Sequence, residues 1–550
     1  MKKKPIPLTD FDLRQMDEDW LSLLTPVQLQ AVSVRLLQEL KTARDRLNQT
    51  PNNSSRPPSS RPAWEVGPSD DETLDDGADQ ARAKPLNAEP PNTEPPSTEQ
   101  ANTEQASTEQ PNTSIPASSG GGLRSTDAKS TGKKAGKQPG AKGYGRTQQF
   151  AIDDTIVHYP EHCAACGLAL TREGTQAYTG WDEIEIAANA AGQAGMRLQV
   201  NRHLLHASDC SCGHVTRAPH YTAPEDPCWD KVALGQWRLI GPRLGGAIVF
   251  LALRMRLSRA RIREFFIELF GLQLSTGVID ETIREAGRAV APLEDAMVRE
   301  IEQAALLHAD ETPWKEGRQL LWLWVFATRH TTLFLIGYRS LEILSNLLTA
   351  EFKGNLMSDG YLAYRHLPQR LRCWAHLVRK CQGLAESTDA RVSSAGQTMC
   401  DVMRVLIGAI YDTRTMSSCP GGMLASQYAS DIARLRCLCE QHRDDRHDKL
   451  RALAREFLHD WNVILRQVAE PHLPLTNNTA EQALRHWVIA RRISLGTRSE
   501  AGTRAFALLA SVIETCRKRS TSSWTYIASV LAAARQGLTL PSLPAMPGGG

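Results

Sequence analysis

Long apolar runs are missing from this chain. The longest, Gly245–Leu253, is bounded by Arg243 and Arg254, far below the roughly 18 residues that a membrane span requires. No secretory leader is expected, since Met1-Lys2-Lys3-Lys4-Pro5 runs into no apolar segment. Cysteine is sparse: 12 residues scattered over 550 do not make the framework of a disulfide-stapled scaffold and read as reduced thiols plus metal ligands. Neither sign of charge is in excess, with 64 Lys and Arg against 61 Asp and Glu and a formal net charge of +3. These absences exclude membrane-spanning and disulfide-rich secreted classes. The expectation is a soluble, cytoplasmic protein with no membrane partner.

What is present is unevenly distributed. The length suggests two to four domains. Acidic residues crowd 66–110, whereas 129–146 and 485–519 are basic, an asymmetry found in nucleic-acid-binding chains and in ordinary solvated surfaces alike. Residues 1–49 read as a helical domain. Thr25-Pro26-Val27-Gln28 supplies an N-cap, a proline at the first helical position and a capping-box glutamine. Leu29, Leu36 and Ala43 recur every seven residues, with Leu40 and Leu47 on a second seam, as in a short coiled coil or an amphipathic helix packed on its own chain. Residues 50–145 read as a disordered linker. It contains a degenerate five-residue repeat around Asn92, Ser97, Asn102, Ser107 and Asn112, too polar to offset chain entropy. It ends in Gly132–Gly143, where Lys133, Lys134 and Lys137 suit a phosphate backbone. Residues 146–222 carry Cys163-Ala-Ala-Cys166-Gly and Cys210-Ser-Cys212-Gly. Paired thiols on glycine-closed turns match a structural Zn2+ site. The second pair is one residue short of Cys-x-x-Cys, and His206 or His214 is an alternative ligand. Residues 223–300 read as a helical DNA-binding or connector domain, broken at Gly241-Pro242.

The acids concentrate from residue 301 onward. Leu306-Leu-His-Ala-Asp310-Glu311 reads as a strand that breaks at Thr312-Pro313. Strands Leu320–Thr328 and Thr331–Tyr338 follow, then a helix near Ser340–Thr349, then Gly354–Asp359 as a strand ending in an acid. Three strands, a helix and a fourth strand are the order of a ribonuclease H-like mixed sheet, in which the first and fourth strands lie side by side. Asp310 and Asp359 would then meet, and hard carboxylate oxygens suit Mg2+. Glu311 would face away, because adjacent strand residues point to opposite faces. Leu371–Lys380 reads as a fifth strand entering a helix that carries His376 and, as DNA-binding candidates, Arg379 and Lys380. After a helical insertion at about 385–470, Asn477 or Asn478 caps a helix with Glu481 in its first turn. Between Ala480 and Ser520, eight basic residues, including Arg485, Arg491 and Arg492, stand against three acids, the charge balance of a DNA-facing surface. Cys437 and Cys439 are spaced to point apart on a helix and read as plain thiols.

Four blocks carry a resemblance: His308-Ala-Asp-Glu-Thr-Pro313, Ser358-Asp-Gly-Tyr361, Cys373-Trp-Ala-His376 with Arg379-Lys380, and Asn477-Asn-Thr-Ala-Glu481 with Leu484-Arg485. In this order they resemble the IS66 family of transposases. The resemblance implies a DDE catalytic core over 301–505, followed by C-terminal helices and tail over 506–550. It implies Asp310, Asp359 and Glu481 as a metal-binding catalytic triad for two Mg2+ (or Mn2+) ions, and strand cleavage and strand transfer at the terminal inverted repeats of an insertion sequence. It further implies transposon-end and target DNA as partners, a homo-oligomer, small accessory proteins of the element and a bacterial, nucleoid-associated location. A nuclease on the same fold and a catalytically silent DNA-binding protein are the alternatives.

Overall fold

The structure is a computed structural model that describes residues 20–21, 23–48, 148–188, 195–218, 239–349, 352–415 and 423–547. The repeat-bearing linker and Lys133, Lys134 and Lys137 lie outside the described residues. The chain divides into two units, Met1–Leu74 with Phe150–Gly550, and Asp75–Gln149; every element below belongs to the first. Among the described residues no helix is long and apolar enough to cross a membrane.

Helix α1 (Pro26–Leu47) opens with the reciprocal cap read from sequence. Gln28 N donates to Thr25 Oγ1 at 3.4 Å, and Thr25 N donates to Gln28 Oε1 at 3.0 Å. Four strands follow: β1 (Asp154–His158), β2 (Gln176–Ala188), β3 (Met196–Asp209) and β4 (Val215–Arg217). β3 is central, with β1 parallel to it and β2 and β4 antiparallel.

This small sheet is joined to the helices that come next, α2 (Pro242–Val249), α3 (Arg259–Phe270), α4 (Thr276–Val290) and α5 (Glu294–Glu302). Ile184 and Ile186 of β2 bury into the same core as Leu244 and Ile248 of α2. Gly241-Pro242 does not break a helix, as the sequence reading has it, but starts one. Pro242 takes the first-turn position, where its missing N–H costs nothing. Glu185 of β2 accepts from Arg243 N (2.9 Å) and Leu244 N (2.7 Å), satisfying two of the helix's open donors.

The central sheet comprises β5 (Leu306–Glu316), β6 (Gln319–Ala327), β7 (Thr332–Gly337), β8 (Asn355–Ser358) and β9 (Arg370–Arg372), with helix α6 (Leu341–Leu347) between β7 and β8. The strand order is β7-β6-β5-β8-β9. The first three strands are antiparallel, and β8 and β9 continue in parallel.

β5 does not stop at Thr312-Pro313, which corrects the sequence reading. Pro313 stays in register opposite Trp322, while β8 pairs only with Leu306, Leu307 and His308. The Pro313 carbonyl accepts from Arg491, outside the β5–β6 ladder. The N–H and C=O of a strand residue point to the same side, so the missing N–H falls on that open edge, where proline is tolerated.

Nearly all-helical chain follows: α7 (Trp374–Ala385), α8 (Ala390–Thr415), α9 (Met423–Gln427), α10 (Ala429–Gln441), α11 (Asp448–His459) and α12 (Trp461–Ala469). They enclose a second core around Trp374, Leu377, Met399, Met403 and Phe457. The insertion leaves and returns at one point. Trp374 N donates to Leu475 O at 2.8 Å, Trp374 Nε1 donates to Gln467 Oε1 at 2.8 Å, and Gln467 Nε2 donates to Arg372 O and Pro474 O, each at 2.9 Å.

The chain closes with α13 (Asn478–Ser494), α14 (Glu500–Lys518) and α15 (Ser523–Arg535). The boundaries drawn at 300/301 and 505/506 fall inside α5 and α14. α14 completes the sheet instead of beginning a separate segment: Phe334 N donates to Ser511 Oγ at 2.8 Å and Thr332 N to Thr515 Oγ1 at 3.1 Å. The edge of β7 is thereby closed to other chains.

Candidate active site

The β5–β8 register pairs His308 with Met357. Continued two residues, it sets Asp310 across from Asp359, on the same face of neighbouring parallel strands. Each carboxylate is held by one backbone amide: Glu311 N donates to Asp310 Oδ1 and Tyr361 N to Asp359 Oδ1, both at 2.9 Å. Among the described residues the second oxygen of each accepts no protein hydrogen bond. Both residues are half-buried.

Glu481 reaches this place from α13. Asn477 stands at the N-cap of that helix but makes no side-chain cap, contrary to the sequence reading. Its side chain is buried and turned to β5, where Nδ2 donates to Ala309 O at 2.9 Å and Oδ1 meets His308 Nδ1 at 3.2 Å. One amide thus ties the Glu481 helix to the residue before Asp310. The acids sense one another: burial, then Asp359, Glu311 and Glu481, hold the Asp310 carboxyl well above the usual carboxylate range. Glu481 Oε1 is buried with no hydrogen-bond partner, as is His376 Nδ1, 3.7 Å away. Burial opposes charge on His376, but Cys373, Glu481 and Asp359 outweigh it and raise the pKa to about 9.

Glu311 takes a different part. Its side chain is 1% exposed, accepting from Arg339 Nη2 at 2.6 Å and from Tyr364 Oη at 2.8 Å. The Arg339 guanidinium in turn lies over the rings of Trp322 (4.3 Å) and Tyr361 (3.9 Å). This network braces the loop that follows Asp359.

A second network holds the same loop from below. Arg372, fully buried, donates to Asp359 O at 3.1 Å and pairs with Asp460 and Glu456. Arg370 also pairs with Asp460, at 2.5 Å. Gly360 is required here twice over. Its φ is +104°, and a Cβ would fall 2.2 Å from Arg372 Cζ. Gly360→Ala should cost about 1–2 kcal/mol for the backbone alone and more for the displaced guanidinium. A thermal melt no lower than that of the native protein would show that this loop repacks freely.

The predicted DNA-binding cations have diverse surroundings. Lys380 Nζ donates to both oxygens of Glu456 (2.8 and 2.9 Å), and Arg491 braces β5 through Thr312 Oγ1 (2.9 Å) and Pro313 O. Arg379 is half-buried, while Arg485 and Arg492 are exposed on α13. Much of the basic excess after Ala480 is consumed by folding. Arg504 pairs with Glu294, Arg517 with Glu514 and Arg519 with Glu300, and Lys518 and Arg498 donate to backbone carbonyls. The sequence reading missed a cleft of about 980 Å³ that opens beside Gly360 and is lined by Arg365, Arg436, Arg443 and Arg455. Arg436 and Arg455 pair with exposed acids; Arg443 has no acidic partner among the described residues, and Arg365 Nε, buried without a hydrogen-bond partner, lies 3.9 Å from Asp460 Oδ1. These arginines are spread along helical sequence, with nothing local to link them.

Two groups of ligand-type side chains among the described residues have donor atoms all within 4.8 Å of one another: Cys163, Cys166, Cys210 and Cys212, and Cys373, His376 and Glu481. In the first, Cys163 Sγ to Cys212 Sγ and Cys166 Sγ to Cys210 Sγ are both 3.6 Å. Four bonds of about 2.3 Å around tetrahedral Zn2+ give sulfur separations of about 3.8 Å, so the donor set fits that ion. The shortened pair works because Gly213, at φ +85°, closes a tight turn in which Gly213 N donates to Cys210 O at 2.8 Å. His206 bonds Thr175 Oγ1 at 2.8 Å instead of joining the thiols. Cys437 is exposed and Cys439 buried, so the two thiols point apart, and His447 caps α11 through Leu450 N.

Two proteins of Sinorhizobium fredii (strain NBRC 101917 / NGR234) are similar to this chain. Uncharacterized protein y4qI is 24% identical over 307 residues, covering 50% of this chain and 56% of that protein. Uncharacterized protein y4jO is 29% identical over 157 residues, covering 28% and 46%. The chain therefore spans about half the length of these curated relatives. Residues 238–505, which hold both aspartates, the helical insertion and Glu481, match the family described as Transposase IS66 family, and this stretch of the chain belongs to that family.

Proposed function

We propose that this protein is a DNA transposase with a ribonuclease H-like core, in which Asp310, Asp359 and Glu481 form the metal-binding triad for strand cleavage and strand transfer at transposon ends. The observation that carries this reading is the meeting of Asp310 and Asp359 at adjacent parallel strands, with the Glu481 helix tied to β5 by Asn477. The strand order, three antiparallel strands extended by two parallel ones, supports the same core.

The residues fit hard divalent cations. Asp310 and Asp359 each keep one oxygen on a backbone amide, and Glu481 Oε1 is buried without a hydrogen-bond partner. Asp310, Asp359 and Glu481 would together hold two such ions. When bound, Mg2+ or Mn2+ would supply activation of the attacking oxygen and stabilisation of the leaving one. The chain's own part is to hold the acids and orient DNA. Asn477 fixes the approach of Glu481 to β5, and the Arg372 network fixes the loop of Asp359. Arg365 and Arg443 offer cations to a phosphate backbone entering the cleft beside Gly360. The four-cysteine group would hold Zn2+ as a structural ion on the small sheet.

The deciding experiment mixes purified protein, Mg2+, labelled terminal-repeat DNA and a supercoiled plasmid. Joining of the labelled end to the plasmid is expected. Cleavage without joining would make the protein a nuclease on the same fold, and binding alone a silent DNA-binding protein.

A further inference from the structure

In the second ligand group, Cys373 and His376 have none of the roles above, and only Glu481 has one. Cys373 is the N-cap residue of α7, and His376 lies three residues on, on the same face of that helix. Glu481 comes from the first turn of α13. Their donor atoms all lie within 4.8 Å of one another. The His376 Nδ1 to Glu481 Oε1 separation, 3.7 Å, is near the roughly 3.4 Å between N and O donors on one tetrahedral ion. Both atoms are buried and lack a hydrogen-bond partner, a cost in a folded protein that a shared cation removes. Cys373 Sγ accepts from Asn477 N at 3.3 Å, the outer-sphere contact that orients a thiolate ligand. The His376 and Glu481 side chains are 15% and 24% exposed, so a fourth position is open to water.

We propose that Cys373, His376 and Glu481 form a second transition-metal site, selective for Zn2+ or Co2+, whose filling draws Glu481 away from the Mg2+-binding acids and arrests catalysis. The ligand chemistry decides the selectivity. A thiolate and an imidazole favour Zn2+ and Co2+, whereas Mg2+ takes oxygen ligands in octahedral geometry. Binding would release to solvent the Cys373 thiol proton and the Nδ1 proton of the His376 imidazolium. The arrest, though not the binding, rests on Glu481 serving the proposed reaction.

The test is a Co2+ titration of the full-length, metal-stripped protein, read by visible d–d bands and near-ultraviolet thiolate charge transfer. The native chain should take two equivalents, one in each cluster, and millimolar Mg2+ should displace neither. His376→Ala should take one, retaining the four-thiolate spectrum and so reporting an intact fold; Cys163→Ser should lose that spectrum and retain the Cys373 charge-transfer band. Two equivalents with an unchanged spectrum in His376→Ala would overturn the site. Strand cleavage by the native protein in Mg2+ should fall at least tenfold when Zn2+ saturates the second site, and an unaltered rate would overturn the arrest. Complete lack of cleavage in Mg2+ alone would instead count against the transposase reading, leaving the Co2+ result to stand or fall by itself.

Discussion

Asp310→Asn should abolish Mg2+-dependent cleavage of transposon-end DNA while leaving the fold and DNA binding in place. The expected loss is about 1,000-fold or more. Metal-bound carboxylates contribute several kcal/mol of transition-state stabilisation, and each 1.36 kcal/mol is tenfold in rate. The fold should survive, because the asparagine carbonyl has the size of the carboxylate and still accepts from Glu311 N, the one hydrogen bond that the native side chain makes among the described residues. Gel-shift titration, a thermal melt and an end-cleavage assay on one preparation separate the effects. Cleavage within threefold of the native rate would remove Asp310 from the chemistry and, with it, the two-metal reading of β5 and β8.

The largest stability effect should come from Asp460→Ala. Asp460 lies between α11 and α12 with no side-chain exposure, facing Arg370 and Arg372 of β9. Removing one partner of a buried ion pair leaves charge uncompensated and costs about 3–5 kcal/mol. Here three guanidiniums, those of Arg370, Arg372 and the more distant Arg365, lose an acid, although Arg372 retains Glu456. The effect has a defined pH dependence. Burial pushes the Asp460 carboxyl up, but Arg370 and Arg372 outweigh it, and its pKa lies below the ordinary value. A carboxylate with a depressed folded pKa contributes stability that is complete above its unfolded pKa, about 3.9, and is lost as pH falls through the folded value. The gap between native and variant proteins should therefore be flat from pH 7 to 5 and close only below about pH 4. Denaturant melts at several pH values measure it, and a gap under 1 kcal/mol at pH 7 would mean that the network adds little. Arg372 also donates to Asp359 O, so the same variant should slow cleavage beyond its loss of folded protein.

The two networks show why the acids were legible in sequence and their supports were not. Asp310 and Asp359 announce themselves as charges at the ends of short apolar strands, and a strand's alternation separates Asp310 from Glu311. Asn477 reads locally as a helix cap, because asparagine before a helix usually is one. Its real partners, Ala309 and His308, are adjacent only in space. Likewise Lys380, Arg491 and Arg519 read as cations available to DNA, since the acids and carbonyls that take them lie 25 to 219 residues away in the chain. The Cys210–Cys212 spacing looked deficient because a motif counts residues, whereas a thiolate site needs only sulfur positions, and the turn at Gly213 supplies them.

By itself the sequence determined what repeats locally: the alternation of the sheet strands, the Thr25–Gln28 cap, the positions of the acids and the two thiol pairs. Local periodicity and local hydrogen bonding suffice for these. Tertiary structure alone decided which polar groups meet. The return of the insertion through Gln467 and Trp374, the closing of the β7 edge by Ser511 and Thr515, the Arg372 cradle at Gly360, and the approach of Cys373 and His376 to Glu481 all join distant segments. The physical reason is common to them: a buried polar group must find a partner, and the packing of apolar faces determines which one comes within reach.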